Sequence, residues 1–230
     1  MYFKIQIALM LIFSINLFAN DLEIEKIFEK KQVEGTIVIE SLNQNKTYIY
    51  NKFRADTLLS PASSFKIPHT LIALKEGVVN EDSIITWDKI PSSVESCNND
   101  QTLKSAFKNS CLWCYQEFAS KIKPSIYKEY LKQMDYGNKV VGNDIKNFWV
   151  DESLKINAFE QIKFLKKLYK NDLPFKQKDI DTLKNIMIDE KNENYTLRAK
   201  TGWEGRYGWY VGYIETKDDV WFFAMNIDTK

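Results

Sequence analysis

Three apolar runs close this chain, "YTLRAKTGW", "GWYVGYIET" and "VWFFAMNID", with only short turns between them. They constrain the fold more than any other feature, because strands of that kind must find partners. A matching signal lies near the start. "GTIVIESLNQNKTYIYN" is two alternating segments around an Asn/Gln turn, the pattern of a hairpin. Residues 61 to about 170 carry helical patterning instead, with loops rich in Asn, Ser and Asp. "FEQIKFLKKLYKN" sets its apolar residues at helical spacing. Strands at both ends with helices between predict an α+β fold. The expected architecture is an antiparallel sheet drawn from both termini, flanked by helices, with a helical insertion. No repeat, low-complexity tract or Pro/Gly/Ser linker interrupts the chain. With 230 residues, 44% hydrophobic and 14% aromatic, a substantial core is available and disorder is excluded as the main state.

The first residues, "MYFKIQIALMLIFSINLFAN", combine an early lysine, an apolar run and a small residue before a polar turn. They read as a secretory signal peptide over 1–19, leaving a domain from 20 to 230 and a periplasmic location. The apolar run is short for the roughly 20 residues of a membrane span. Loss of Lys4 with the leader brings the 32 basic residues to 31, against 31 acidic ones. A mature net charge near zero gives no electrostatic case for nucleic acid or for an anionic membrane. Three cysteines remain, Cys97, Cys111 and Cys114. An exported chain can form one disulfide from them and keep one free thiol, with the pairing open. Cys111-x-x-Cys114 resembles a redox or metal pair. With no second pair and one histidine in the chain, ordinary buried cysteine is the better reading.

The chemistry is carried by "SPASSFKIPHTLIALKEG", Ser60 to Gly77. Three serines precede a helical pattern, and they suit an N-terminal cap as well as a nucleophile. A serine hydroxyl is a weak nucleophile until a base lies within hydrogen-bond reach. The single histidine, His69, reads as a packing residue on the helix. Lysine can act instead if burial lowers its pKa. Positions i and i+3 share a helix face, which pairs Ser63 with Lys66 and makes Ser60 and Ser64 structural. Phe65, Ile67 and Pro68 supply an apolar setting for Lys66, and a helix start offers N–H groups to an oxyanion.

Further along come "SCL" (Ser110, Cys111, Leu112), "YGN" (Tyr136, Gly137, Asn138) and "KTG" (Lys200, Thr201, Gly202). Lysine and threonine there suit a substrate carboxylate, and the glycine allows close backbone approach at the strand edge. S-x-x-K with K-T-G is a signature of serine β-lactamases and penicillin-binding proteins. In this order the four motifs resemble those of the class D serine β-lactamases, the oxacillinase family. "PASSFKIPHTLIAL" is similar to that family's P-A-S-T-F-K helix, with Ser64 for threonine. Leu112 stands for the valine of S-x-V, and "YGN" matches outright. "NFWVDESLKINAFEQIKFLKKLY" resembles the omega-loop and the helix after it, with Trp149 in the tryptophan position. "KTGW", "GWYVGY" and "FFAMNID" resemble the last strands, so the likeness runs from about Gly35 to Asp228.

The resemblance implies a transpeptidase-like fold, β-lactam small molecules as substrates and antibiotic resistance as the outcome. It implies no bound metal or organic cofactor, only CO2, added to Lys66 as a carbamate. Ser63 would attack the lactam carbonyl, with Lys66 as general base in acylation and deacylation. Phe65, Leu112 and Trp149 would line an apolar pocket, with the Trp149 indole N–H donating to the carbamate. Ser110 would relay a proton to the leaving nitrogen beside Lys200. Lys200, Thr201, Gly202 and Trp203 would hold substrate, and the backbone N–H groups of Ser63 and Trp203 would form the oxyanion hole. Leu112 is expected in the core, and Tyr136-Gly137-Asn138 as a structural turn. No nucleic acid or lasting membrane partner is expected, and a homodimer is left open. The family's C-terminal arginine and helix have no counterpart before the chain ends at "NIDTK", so the domain reads as truncated there. Arg206, in "WEGRYG", stands one short turn from Lys200 and is the candidate replacement for that arginine. A penicillin sensor that acylates without turnover, and an inactive fragment, are the competing readings.

Overall fold

The terminal runs assemble into one six-stranded antiparallel sheet in the order β2-β1-β8-β7-β6-β5. The computed structural model describes residues 21–229, so the leader expected over 1–19 lies outside the described residues. The strands are β1 (Gly35–Ser41), β2 (Thr47–Tyr50), β5 (Ile188–Lys191), β6 (Tyr195–Trp203), β7 (Tyr207–Thr216) and β8 (Val220–Asp228). A small second sheet pairs β3 (Ile84–Ile85) with β4 (Gln101–Thr102). β1 is the joint between the chain's two ends. Val38 faces Ile49 across β2 and Ala224 across β8.

Both faces of the central strands are covered. β7 is buried without a break from Tyr207 to Ile214, as expected when apolar groups pack on each side. One face carries Trp209, Val211, Tyr213, Phe222 and Ala224 into the main core, which holds the helices Lys66–Lys75 and Ala158–Tyr169. The other face carries Ile37, Ile39, Tyr210, Trp221, Phe223 and Met225, and receives Ile24 and Phe28 from the helix Asp21–Lys31. That helix presents Ile24, Ile27 and Phe28 along one side at i, i+3 and i+4. The expected helical insertion is present as the helices Leu103–Lys108, Leu112–Ser120 and Pro124–Met134, and a further helix, Gln177–Ile186, leads into β5. Local chemistry sets where these begin. Thr102 and Ser105 form a reciprocal cap on the first, Asn157 and Glu160 form one on Ala158–Tyr169, and Pro124 opens Pro124–Met134.

Residues 135–157 form a long loop without helix or strand, and Y-G-N fastens it. Asn138 Nδ2 donates to Ser153 O (2.8 Å), and Asn138 Oδ1 accepts from Lys155 N–H (3.1 Å). Gly137 has φ +53°, and a Cβ there would sit 2.2 Å from Lys155 O, so only glycine fits. The turn is structural, as expected. The far end of the loop bonds to Leu59 in both directions through Ile156 (3.0 and 2.8 Å).

Candidate active site

Ser63 sits in a short helical turn, Ala62–Phe65, that runs directly into the helix Lys66–Lys75. Its neighbours Ala62, Ser64, Phe65 and Lys66 are buried, and Ser63 alone of the turn is half-buried. Three-residue spacing brings Lys66 Nζ to 2.9 Å from Ser63 Oγ. The other two serines hold the turn in place. Ser60 Oγ donates to Trp149 O (2.7 Å), and Ser64 Oγ donates to Pro61 O (2.7 Å) and accepts from Gln161 Nε2 (3.0 Å).

β6 lies against the same turn. A Cβ on Gly202 would stand 2.8 Å from Pro61 O, 2.9 Å from Ser64 N and 3.2 Å from Ser63 N. The glycine of K-T-G therefore admits the backbone of the Ser63 turn to the strand. Gly202→Ala is expected to displace the turn and lower kcat/KM on the order of 10²-fold. Parallel kinetics and melting curves check this, since the loss should far exceed what any change in folded fraction explains.

Lys66 is fully buried, and no carboxylate pairs with it among the described residues. Burial holds its amine well below the usual lysine range, and the positive charge of Lys200 pushes the same way. Nζ lies 4.9 Å from the centre of the Tyr115 ring, and Thr70 Oγ1 bonds both Lys66 O (2.7 Å) and Tyr115 Oη (2.8 Å). Phe65 stacks on Trp149 with ring centres 5.9 Å apart. Trp149 O accepts from Ala62 N–H (3.0 Å) and Ser60 Oγ, which ties the long loop to the Ser63 turn. The Trp149 indole N–H is buried and has no acceptor among the described residues.

Ser110 occupies the corner between Leu103–Lys108 and Leu112–Ser120 with φ +62°, and its buried Oγ has no partner either. Phe107, three residues before it, lies under Lys200 Nζ at 5.7 Å. Tyr115, five residues after it, lies under Lys66 Nζ. The corner thus joins the helices that cover both lysines. Lys200 Nζ donates to Thr201 O (3.1 Å). Burial brings the Lys200 amine down to about 7, with Asp189 opposing that shift and Lys108 adding to it.

The penicillin-binding protein transpeptidase domain matches residues 33–230. Beta-lactamase OXA-20 of Pseudomonas aeruginosa is 44% identical over 207 residues, which cover 89% of this chain and 78% of that protein. The crystal structure of a class D β-lactamase from Sebaldella termitidis superposes with a TM-score of 0.86 at 43% identity, over 89% of this chain and 85% of that one. The chain belongs to the class D β-lactamases. The regulatory protein BlaR1 of Bacillus licheniformis is also similar, 35% identical over 87% of this chain and 34% of its own length.

Two readings of this class D enzyme need correction. Leu112 is not in the core: it is 39% exposed, at the first position of Leu112–Ser120, where the buried side of the helix begins only at Cys114 and Tyr115. Nor is Cys111 of Cys111-x-x-Cys114 an ordinary buried cysteine; one disulfide and one free thiol, left open by the sequence, is what forms. Cys97 and Cys111 form a disulfide, and only Cys114 is free, buried, with its thiol pushed up to about 12 by desolvation. His69 packs as expected. Its Nε2 meets Tyr127 Oη at 2.6 Å, and burial keeps the ring neutral. Trp203 is 47% exposed beside the site, its indole N–H donating to Thr229 Oγ1 (3.1 Å). Arg206 is exposed and does not stand free: Glu204 holds it at 2.9 Å, and Glu152 of the long loop holds its other arm.

Neither Tyr115 and Thr70 beside Lys66 nor the His69–Tyr127 pair was legible in the sequence. The signal was present as aromatic residues on facing helices, but which of them meet is decided by how those helices pack.

Proposed function

We propose that this enzyme hydrolyses β-lactams through an acyl-enzyme on Ser63, with Lys66 as general base. The observation that carries the reading is a buried, uncompensated lysine 2.9 Å from the one half-exposed serine of a helix start. A neutral amine in that position accepts the Ser63 proton as Oγ attacks the lactam carbonyl. The N–H groups of Ser63 and Trp203 receive the oxyanion. The C–N bond breaks, and Ser110 hands a proton to the leaving nitrogen as it takes up the one that Lys66 received, which returns Lys66 to its neutral form. In deacylation water attacks the ester carbonyl, Lys66 takes the water's proton, and the Ser63 Oγ–C bond breaks as Lys66 passes that proton to Oγ.

The surroundings of Lys66 fit N-carboxylation by CO2, which requires a neutral amine and a donor to hold the added oxygens. The amine is desolvated, and the buried Trp149 N–H lacks an acceptor. Carboxylated, Lys66 would offer an oxygen base in place of nitrogen. Lys200 and Thr201 bind the substrate carboxylate, with Leu112 and Trp203 as apolar flanks. Export by the leader over 1–19 places the activity in the periplasm, where a disulfide such as Cys97–Cys111 persists.

Arg206 joins carboxylate binding only by exchanging Glu152 or Glu204 for substrate. Arg206→Ala is therefore expected to raise KM for a penicillin about fivefold with kcat unchanged. An unchanged KM removes Arg206 from the binding site.

Similarity to a regulatory protein gives a second reading, acylation without turnover. Loss of β-lactam absorbance separates the two. Many equivalents of penicillin consumed per protein molecule support hydrolysis, and consumption that stops at one equivalent favours the sensor.

A further inference from the structure

Ser110 is held in place by its neighbours alone, since its own Oγ bonds nothing. It adopts a left-handed φ of +62°, a conformation that a residue other than glycine keeps only when its surroundings impose it. Part of the constraint is local: Ser110 N–H bonds Phe107 O (3.2 Å) and Cys111 N–H bonds Ala106 O (2.9 Å). The rest comes from one distant turn, Glu95–Cys97. Cys111 is bonded to Cys97 through sulfur. Trp113 Nε1 donates to Cys97 O (2.9 Å), and Asn109 Nδ2 donates to Ser96 O (3.4 Å). Residues 109, 111 and 113, on both sides of Ser110, are thus fastened to two consecutive residues of the other segment, Ser96 and Cys97. The covalent member of the set lies inside the S-C-L motif itself.

We propose that the Cys97–Cys111 disulfide is a positioning element for acylation: it holds the Ser110 corner so that the hydroxyl reaches the leaving nitrogen. The proposal rests on the relay role given to Ser110 above and adds what keeps that relay in place. A disulfide of purely structural value changes the folded fraction and leaves the rate constants of the folded enzyme alone. This one should slow acylation selectively, because deacylation runs through Lys66 and water.

The test is a cycle of four proteins: native, Cys97→Ala/Cys111→Ala, Ser110→Ala, and the triple variant. Single-turnover acylation by benzylpenicillin and decay of the acyl-enzyme are measured for each, well below its melting temperature. Removal of the disulfide is expected to slow acylation roughly tenfold in the Ser110 background, to leave deacylation within about twofold, and to have no further effect in the Ser110→Ala background. Unchanged acylation overturns the proposal. So does an equal loss in both backgrounds, or in both steps. If Ser110→Ala by itself acylates at the native rate, the relay role is what fails. Should the alanine pair not fold, the native protein is reduced with dithiothreitol. The Sγ–Sγ bond breaks, each sulfur takes up one electron and one proton, and the reagent closes to its cyclic disulfide. The free-thiol count then rises from the single Cys114 to all three cysteines, and the same selective loss of acylation is expected.

Discussion

Ser63→Ala is expected to abolish acyl-enzyme formation and to lower kcat/KM for penicillins on the order of 10⁴–10⁶-fold, the usual cost of removing a nucleophile that works as a unit with its base. The effect should be chemical and not structural. Ser63 is the half-exposed member of its turn, and the hydrogen bonds that hold the turn belong to Ser60, Ser64 and Pro61. The variant should therefore melt within a few degrees of the native protein and still bind substrate reversibly at Lys200. The neighbouring Ser64→Ala provides the contrast. It removes bonds to Pro61 O and Gln161 Nε2, so its effect should appear in stability first. Rapid-quench mass spectrometry of both variants checks this: an adduct on Ser63→Ala, or none on a folded Ser64→Ala, contradicts the assignment.

Lys66→Ala is expected to cost as much in turnover, and native activity should depend on CO2 and on pH with a definite sign. Burial depresses the Lys66 pKa, so the neutral amine is lost as pH falls through that depressed value. Activity therefore declines toward acid, where a carbamate also decomposes, and added bicarbonate should raise the rate. Lys200 has the opposite influence. It is charged below about 7 and neutral above, so attraction for an anionic substrate weakens as pH rises through about 7. The profile of kcat/KM, which reports the free enzyme, should be bell-shaped, its alkaline limb beginning near that value. Lys200→Ala should flatten the alkaline limb and, by removing a charge that helps depress Lys66, move the acid limb to higher pH. A rate flat in bicarbonate, together with a fully active Lys66→Ala, would remove Lys66 from the mechanism.

The parts of this molecule that were legible in advance are those written in local pattern. Alternation announced β1, β2 and the last three strands within a residue or two, and the i, i+3 relation of Ser63 and Lys66 is a property of any helix. What local pattern could not show was which distant pieces meet. Gly202 was expected to make room for a ligand, yet its nearest neighbours are Pro61 and Ser64, which belong to a segment 140 residues away in the sequence. Leu112 was expected in the core from its place in the S-x-V motif, but a first helical position can stay exposed whatever its side chain. The Cys97–Cys111 pairing was open among three cysteines until the fold placed the two in contact. The edge strand β5, "IDEK", was missed because its charged residues suit an unpaired edge and mask the strand signal.

The account rests most heavily on a covalent intermediate at Ser63 that forms and is then cleared. Its most direct test is to mix the protein, produced from Asn20 onward, with benzylpenicillin, with and without bicarbonate, and to follow the intact mass and the modified peptide over time. The account predicts an adduct of one penicillin on Ser63 that disappears within the turnover time, faster with bicarbonate, while substrate is consumed in excess. An adduct on any other residue, or hydrolysis with no adduct formed, would contradict it.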